Sequence, residues 1–218
     1  MTVILTDVFG SPNIGVYCFC NEELAVVPPG LTKRKMKQLE ETLQVNICST
    51  TVGGSTLVGA LVAGNSKGLL VPHTIQEYEL QRIERFSKVI VVESNWTALG
   101  NVVLANDFGA VLHPESPQEL TTSLAGLEVP TACSMIASLP FVGAMALATN
   151  KGALISAHAS KEEQSIIETA LKVGVELSTT NGGVPFVKSG IIANSKGAVV
   201  GPLTRGAELM QVTKALGV

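Results

Sequence analysis

Three histidines, His73, His113 and His158, are the first residues of this sequence that could carry out acid–base chemistry or bind a metal ion. An imidazole titrates near neutral pH and is a common metal ligand. Each histidine follows a predicted strand, at a place where loops often carry catalytic groups. Whether the three meet at one site therefore depends on how the fold arranges these strand ends.

Four cysteines are the second candidates, because a thiolate is both a nucleophile and a metal ligand. Cys18, Cys20, Cys48 and Cys133 form no C-x-x-C pair and no Cys/His ligand spacing. Cys18 and Cys20 would lie on the same side of one strand, and no neighbouring residue in the sequence would lower the pKa of either thiol. We interpret all four as core residues in a reducing compartment.

The remaining candidates are two glycine pairs and a run of basic residues. Both kinds of sequence are candidates for binding phosphate groups. Gly53-Gly54 and Gly182-Gly183 fit no phosphate-loop pattern, so we expect them to form turns. Residues 33–37 hold four basic side chains, either as a solvated helix face or as a contact with RNA phosphates. Because the net charge is −3 and the isoelectric point 5.7, any nucleic-acid contact must be local.

The composition narrows the class of protein. The chain has 218 residues, of which 46% are hydrophobic, 4% aromatic and 15% charged, which excludes disorder and requires a core of Val, Ile, Leu and Ala. The mean hydropathy is +0.37, and residues 42–66 and 129–150 are uncharged runs. Polar residues interrupt both runs, so we expect no membrane span. With no signal-peptide pattern at the N-terminus, we expect a cytoplasmic protein.

An internal repeat organises the chain. The motif Asn65-Ser66-Lys67-Gly68 returns at 194–197, and the equivalent positions in five successive segments are Asn21, Asn65, Asn106, Thr149 and Asn194. Their spacing of 41 to 45 residues is typical of a repeat architecture. We predict a single domain, 1–218, whose five repeats lie at approximately 6–48, 49–92, 93–133, 134–177 and 178–218, with the strand 2–5 added to the last.

Each repeat is predicted to contain strand, strand, helix and strand. Residues four to six after each repeat position are all apolar, as in a strand buried on both faces. A second strand is predicted before each hairpin, for example over 57–63 and 142–148. Four repeats have glycine three residues after the repeat position, where we expect a positive φ. The predicted helix N-caps are Thr32, Thr74, Ser116, Ser160 and Thr204, and the predicted capping-box partners are Glu77, Glu119 and Glu163.

The fifth repeat has no closing strand of its own, whereas residues 2–5 form a predicted strand that no other repeat uses. We infer that this N-terminal strand completes the fifth repeat and closes the units into a ring, because closure removes open sheet edges. The predicted fold class is α+β. In such a ring the three histidines lie about a fifth of a turn apart and cannot easily meet at one metal ion.

Five such units in a closed ring resemble the pentein fold, an α/β propeller. Within that fold the sequence resembles the translation initiation factor 6 family along nearly its whole length. The most specific matches are 64–72 (GNSKGLLVP), 98–102 (ALGNV) and Val142-Gly143. The fourth repeat departs from the family pattern, with Ile155-Ser156-Ala157-His158 where the family tends to have Leu-Val-His-Pro. The chain also stops without the C-terminal tail of eukaryotic members, which favours an archaeal protein.

The resemblance implies a factor that binds the intersubunit face of the large ribosomal subunit near the sarcin–ricin loop and prevents joining of the small subunit. It implies a role in translation initiation and in large-subunit biogenesis, with no catalysis, no cofactor and no metal. It further implies that binding runs mainly through a ribosomal protein beside that loop, with limited rRNA contact. A release GTPase and its partner protein act in eukaryotes. We expect a monomer.

The resemblance also implies which residues bind. Family positions tied to subunit binding match Ala60, Asn101 and the Ala144-Met145 pair, and three of these lie five residues before their repeat positions. Val16 and Ser189 complete that column, and Gly100 and Val142 are its predicted neighbours on the ribosome-facing surface. Asn101 is the strongest candidate, because its amide both donates and accepts hydrogen bonds. The alternative is that Asn101 only caps a turn after Gly100.

Two rival functions stay open at this point. A pentein enzyme acting on guanidino compounds needs a nucleophilic cysteine late in the chain, yet the last cysteine is Cys133. A ring-shaped adaptor with no ribosome role is the other rival, and co-migration with large subunits on a gradient would distinguish it.

Overall fold

The structure, a computed structural model, describes residues 2–217. Its strands are β1 (Thr2–Leu5), β2 (Phe19–Cys20), β3 (Leu24–Val27), β4 (Asn46–Ser49), β5 (Ala63–Asn65), β6 (Gly68–Pro72), β7 (Val89–Val92), β8 (Val103–Ala105), β9 (Ala110–Leu112), β10 (Thr131–Cys133), β11 (Ala146–Ala148), β12 (Gly152–Ser156), β13 (Gly174–Ser178), β14 (Ile191–Ala193) and β15 (Gly197–Val200). Its helices are α1 (Ile14–Tyr17), α2 (Lys33–Leu43), α3 (Val58–Leu61), α4 (Glu77–Ile83), α5 (Leu99–Val102), α6 (Gln118–Ser123), α7 (Val142–Met145), α8 (Lys161–Leu171) and α9 (Gly206–Leu216), with 3-10 turns at Leu124–Leu127 and Val187–Gly190.

Within residues 2–217 the strands form five sheets of three strands each. In every sheet an inner strand pairs antiparallel with a central strand, which pairs in parallel with an outer strand. In the first four sheets a helical connection leads from the central strand to the outer strand. The order is β2-β3-β4, β5-β6-β7, β8-β9-β10, β11-β12-β13 and β14-β15-β1. The predicted α+β class with five strand-strand-helix-strand units is confirmed.

The N-terminal strand closes the ring. β1 pairs in parallel with β15, with Thr2 opposite Gly197 and Leu5 opposite Val200. β1 therefore takes the place of the outer strand that the fifth unit lacks, and the predicted closure is confirmed. The inner strands surround the ring centre, where they line a cavity of about 40 Å³.

The hydrophobic core lies between neighbouring units as well as within them. The apolar residues predicted for the central strands are all buried. Also buried are Leu39, Ile83, Ile167 and Val212 of four helices, and Leu124 of the 3-10 turn that follows α6. One core cluster, for example, joins Leu24 and Val26 of the first sheet to Val58, Leu69 and Ile83 of the second unit. No unit buries its apolar surface alone, which is why the array needs its neighbours.

Several local predictions are wrong. The segments predicted as strands over 57–63 and 142–148 begin instead as the short helices α3 and α7. Thr32 and Ser160 cap their helices as predicted, whereas the N-caps of α4, α6 and α9 are Gln76, Pro117 and Arg205. The capping-box glutamates are Glu79, Glu163 and Glu208, so only Glu163 was placed correctly.

The hairpin glycines serve close packing rather than an unusual φ. Gly68, Gly109, Gly152 and Gly197 all lie outside the positive-φ region, contrary to prediction. A Cβ on Gly109 would collide with the backbone oxygen of Ala170, and one on Gly197 with that of Thr42. Each of these oxygens lies at the C-terminal end of the next unit's helix, so glycine lets the hairpin pack against that helix end.

Side-chain amides at the repeat positions join the units, and we call Asn21, Asn65, Asn106 and Asn194 the amide circle. Asn106 Nδ2 donates to Thr149 O (3.1 Å) and to Leu171 O (2.9 Å) of the next unit, while its Oδ1 accepts from Phe108 N and Gly109 N of its own hairpin. Asn21, Asn65 and Asn194 likewise donate to the backbone oxygen at the next repeat position. Thr149 has no amide, so this link is absent between the fourth and fifth units among the described residues.

Replacing Asn106 by Ala should destabilise the protein by about 2 to 4 kcal/mol, because two buried carbonyls and two hairpin N–H groups lose their partner. Urea unfolding measures this change. Asn46→Ala, on the exposed start of β4, is the matched control and should change stability by less than about 0.5 kcal/mol. Equal stability of Asn106→Ala and the control would contradict a structural role for the amide circle.

Candidate partner-binding face

Five short turns surround the ring centre at the end opposite the hairpins. We call them the turn ring: α1, α3, α5, α7 and the 3-10 turn Val187–Gly190. Each turn contacts the next in cyclic order, and the last contacts the first. The first residue of every turn is a buried aliphatic side chain, and the third is the column position of the sequence prediction.

The second residue of a turn is glycine in four units because backbones meet there. A Cβ on Gly59 would collide with the backbone oxygens of Gly15 and Cys18, and a Cβ on Gly100 with those of Gly59 and Val62. Gly143 meets the oxygens of the α5 turn in the same way. Glycine at this position therefore lets the turns stack around the centre, which sets how the following residue is presented.

The structure brings the predicted column together on one face. Val16, Ala60, Asn101, Ala144 and Ser189 are all half-buried third residues of the turn ring. Three other predicted residues do not reach this face. Val142 is 0% and Met145 1% exposed within a core cluster, and Gly100 is buried against the α3 turn, which contradicts their predicted place on the surface.

A shallow depression of about 440 Å³ lies on this face. Apolar side chains dominate its lining, notably Val16, Phe141, Ala144 and Phe186. Phe141 and Phe186 precede their turns directly and are 42% and 38% exposed. Exposed aromatic side chains next to small residues are typical of a protein-binding surface rather than of a solvated one.

Two polar groups in the depression have no partner in residues 2–217. The Asn101 side chain makes no hydrogen bond, and only its backbone N donates, to Ala98 O at 2.9 Å. The alternative that Asn101 caps its own turn is therefore wrong. The Ser189 hydroxyl is buried and unpaired in the described structure. The Asn101 amide is therefore free to bond to a bound molecule, whereas the Ser189 hydroxyl is covered by protein atoms.

Lys188 occupies the second position of the fifth turn, where the other four units have glycine. Its Nζ donates to Gly100 O at 2.7 Å and to Gly59 O at 3.0 Å. Burial lowers the pKa of the Lys188 ammonium from its ordinary 10.5 to about 7. Sequence reasoning missed this residue, although its break in the column of glycines was a visible signal.

Stability should rise with pH above about 7 because of Lys188. Between about pH 7 and 10.5 the unfolded lysine holds a proton that the folded one has lost, so the free energy of unfolding increases by up to about 1.4 kcal/mol per pH unit. Below that range both states are protonated and the contribution is constant. Urea unfolding of the wild type and of Lys188→Met at several pH values measures the difference. The same slope in both proteins would contradict the assignment.

Glutamates of two helices, α4 and α9, hold the loops that contain the glycine pairs. Glu79 accepts from Gly53 N (2.7 Å) and Gly54 N (2.9 Å), and Glu208 accepts from the N–H groups of Gly182 and Gly183. All four glycines have positive φ, so the prediction that these pairs form turns is confirmed. Burial alone would raise the pKa of Glu79, but hydrogen bonds from Gln76 N, Thr51 and the glycine pair outweigh it and lower that pKa.

The other candidates for chemistry do not form a site. No group of three or more His, Cys, Asp and Glu side chains in the described part of the chain is placed to hold a metal ion. Burial raises the pKa of the Cys18 thiol to about 12 and also raises that of Cys20, so neither is an activated nucleophile. Cys133 is exposed, contrary to its predicted core position. In the basic run, Lys35 pairs with Asp7 at 2.7 Å.

The five-unit ring defines a pentein-type α+β repeat fold. The eIF-6 family matches residues 3–215, and the chain belongs to that family. It is 39% identical to "Translation initiation factor 6" of Methanocaldococcus jannaschii, over 100% of this chain and 99% of the relative. It is 36% identical to the protein of the same name from Staphylothermus marinus, over 99% and 98%. These relatives are archaeal and are named as translation factors, not as enzymes.

Among solved structures the chain is similar to DDAH from Pseudomonas aeruginosa complexed with citrulline, at 11% identity and a TM-score of 0.47, over 76% of this chain and 68% of that chain. It is also similar to agmatine deiminase of C. jejuni, at 9% identity and a TM-score of 0.37, over 71% and 62%. Among residues 2–217, no helix has both the length and the apolar character needed to cross a membrane.

Proposed function

We propose that this protein is a translation initiation factor that binds the intersubunit face of the large ribosomal subunit and prevents the small subunit from joining. Membership of the eIF-6 family supports the initiation-factor role. The single observation that carries the mode of binding is the face of the turn ring. It gathers five half-buried column residues and a mainly apolar depression with unpaired polar groups.

The column residues favour close approach of a protein partner. Val16, Ala60, Ala144 and Ser189 are small, so a partner surface is able to contact the turn backbones directly. Asn101 adds an amide that both donates and accepts, which fixes the orientation of the docked surface. Van der Waals contact over the apolar depression supplies affinity, and the unpaired polar groups supply specificity.

The charge of the face favours protein over RNA. Lys188 is the one charged residue that lines the depression in the described structure, and its ammonium already bonds to two carbonyls. An acidic chain of net charge −3 cannot derive most of its affinity from neutralising phosphates. We therefore assign the main contact to a ribosomal protein beside the sarcin–ricin loop, with limited rRNA contact.

The remaining parts of the proposal follow from family resemblance. The factor acts as a cytoplasmic monomer, takes part in large-subunit biogenesis, and is released by a GTPase with its partner protein. Blocking is steric: a rigid closed ring on the intersubunit face occupies the space of the small subunit. The guanidino-enzyme alternative is disfavoured because the thiols of Cys18 and Cys20, the two cysteines that line the central cavity, have raised pKa values.

Replacing Asn101 by Glu should weaken binding to purified large subunits about tenfold or more, because a larger charged group replaces the amide in an apolar contact. Co-sedimentation over a range of protein concentrations measures the affinity. Asn46→Glu makes the same chemical change at the hairpin end of a sheet and should bind like the wild type. Circular dichroism establishes that both variants are folded. If Asn101→Glu binds large subunits with the affinity of the wild type, the proposed role of Asn101 in binding is contradicted.

Anti-association is tested separately by light scattering of mixed subunits. Adding the wild-type protein to large subunits before small ones should lower the yield of joined ribosomes, and Asn101→Glu should restore it. A protein that binds large subunits without lowering that yield would retain the binding proposal and overturn the blocking role.

A further inference from the structure

The Lys188 side chain reaches across the ring from the second position of the fifth turn, where the other four turns have glycine. The fifth unit borders the fourth and the first, yet the Lys188 ammonium bonds to Gly59 of the second unit and Gly100 of the third. Neighbouring turns contact each other through backbone atoms. Lys188 therefore links the fifth turn to the second and third turns, which are not its neighbours around the ring.

The two carbonyls that Lys188 holds belong to the residues directly before Ala60 and Asn101. In a four-residue turn, moving one peptide unit changes the direction of the next side chain. The lysine contacts thus set the orientation of two column residues on the proposed binding face.

The ammonium has no counter-ion in residues 2–217. The depression and the central cavity, both of which Lys188 lines, contain no carboxylate. The titratable groups around it are the Cys18 and Cys20 thiols, which burial keeps protonated. A desolvated charge without a counter-ion costs stability, and ionisable groups with strongly perturbed pKa values cluster at functional sites.

We propose that Lys188 is a positioning residue for partner binding, whose charged ammonium holds the α3 and α5 turns in the arrangement that the partner recognises. This inference rests on the proposed function. It adds that binding depends on the protonation of one residue that does not itself need to touch the partner.

Protonation changes the strength of this link. A charged ammonium makes stronger hydrogen bonds to carbonyl oxygens than a neutral amine, which also brings a lone pair toward them. Because the pKa of Lys188 is about 7, the charged form predominates in mildly acidic solution and the neutral form in mildly alkaline solution. The affinity for the partner should therefore fall as the pH rises through neutrality, by about tenfold.

The experiment measures the affinity of purified large subunits for four proteins at about pH 6 and about pH 8.5. These are the wild type, Lys188→Met, Lys188→Gly and Lys67→Met. Lys188→Met keeps an unbranched side chain, one heavy atom shorter, without the charge, and Lys188→Gly gives the fifth turn the residue of the other four. Lys67→Met makes the same change on the exposed β5–β6 hairpin. Urea unfolding under the same conditions establishes that each variant is folded.

The expected result is a ratio between wild-type and Lys188→Met affinity of about tenfold at the lower pH that shrinks toward one at the higher pH. Lys188→Gly should show the same trend, and Lys67→Met should follow the wild type. Taking the ratio removes any pH dependence that belongs to the ribosome itself. A role in stability alone would not give folded variants whose affinity ratio changes with pH.

A folded Lys188→Met or Lys188→Gly that binds like the wild type at about pH 6, or a ratio that is independent of pH, overturns this inference alone. A wild-type protein that binds no large subunits at either pH overturns the proposed function and this inference with it. If Asn101→Glu weakens binding while both Lys188 variants bind like the wild type, the proposed binding face stands and the positioning role of Lys188 is overturned.

Discussion

The amide circle is the interaction on which the rest of the structure depends. A sheet of three strands with one helix leaves carbonyl groups at the helix end and at the hairpin that it cannot satisfy alone. Asn65, Asn106 and Asn194 each donate to both kinds of carbonyl in the next unit, and Asn21 donates to the hairpin carbonyl of Asn65. The side-chain oxygen of each asparagine accepts from its own hairpin, as Asn106 shows. Among the described residues this link joins four of the five pairs of neighbouring units, including the fifth unit and the first, where the ring closes. The turn ring and its face follow from this closure.

The repeating framework could be predicted because its signals are strong and local. Continuous apolar runs such as Leu69-Leu70-Val71 identify the central strands. The predicted strand at residues 2–5 belonged to no repeat, and the fifth repeat was the one that lacked an outer strand. The four-residue helices could not be predicted, since they are too short to show a helical period. The N-cap of α4 lies two residues after the predicted cap, because its capping glutamate, Glu79, also accepts hydrogen bonds from the backbone N–H groups of Gly53 and Gly54 in another loop.

The site was predictable in part for the same reason. Equivalent positions in a closed ring must share a face, so the column containing Ala60 and Asn101 could be grouped from spacing alone. Burial could not be read in this way: Val142 and Met145 differ from Ala144 only by their direction on one short turn. Lys188 could be recognised in the sequence as a departure from the glycine of the other four repeats. Its contacts with Gly59 and Gly100 could not be predicted, because they depend on the three-dimensional arrangement of the ring.

Pairing of β1 with the fifth sheet also determines the order in which the parts of the protein assemble. Thr2 leaves the ribosome well before Gly197, so β1 finds its partner only after β15 has been synthesised. Until then the fifth sheet does not exist, the first and fifth turns have no contact, and the fifth edge of the array stays unpaired. Four units are able to gather as they emerge, but the ring closes only after β15 has been synthesised. An incomplete chain therefore lacks the complete turn ring, and only a finished molecule presents its face to a partner.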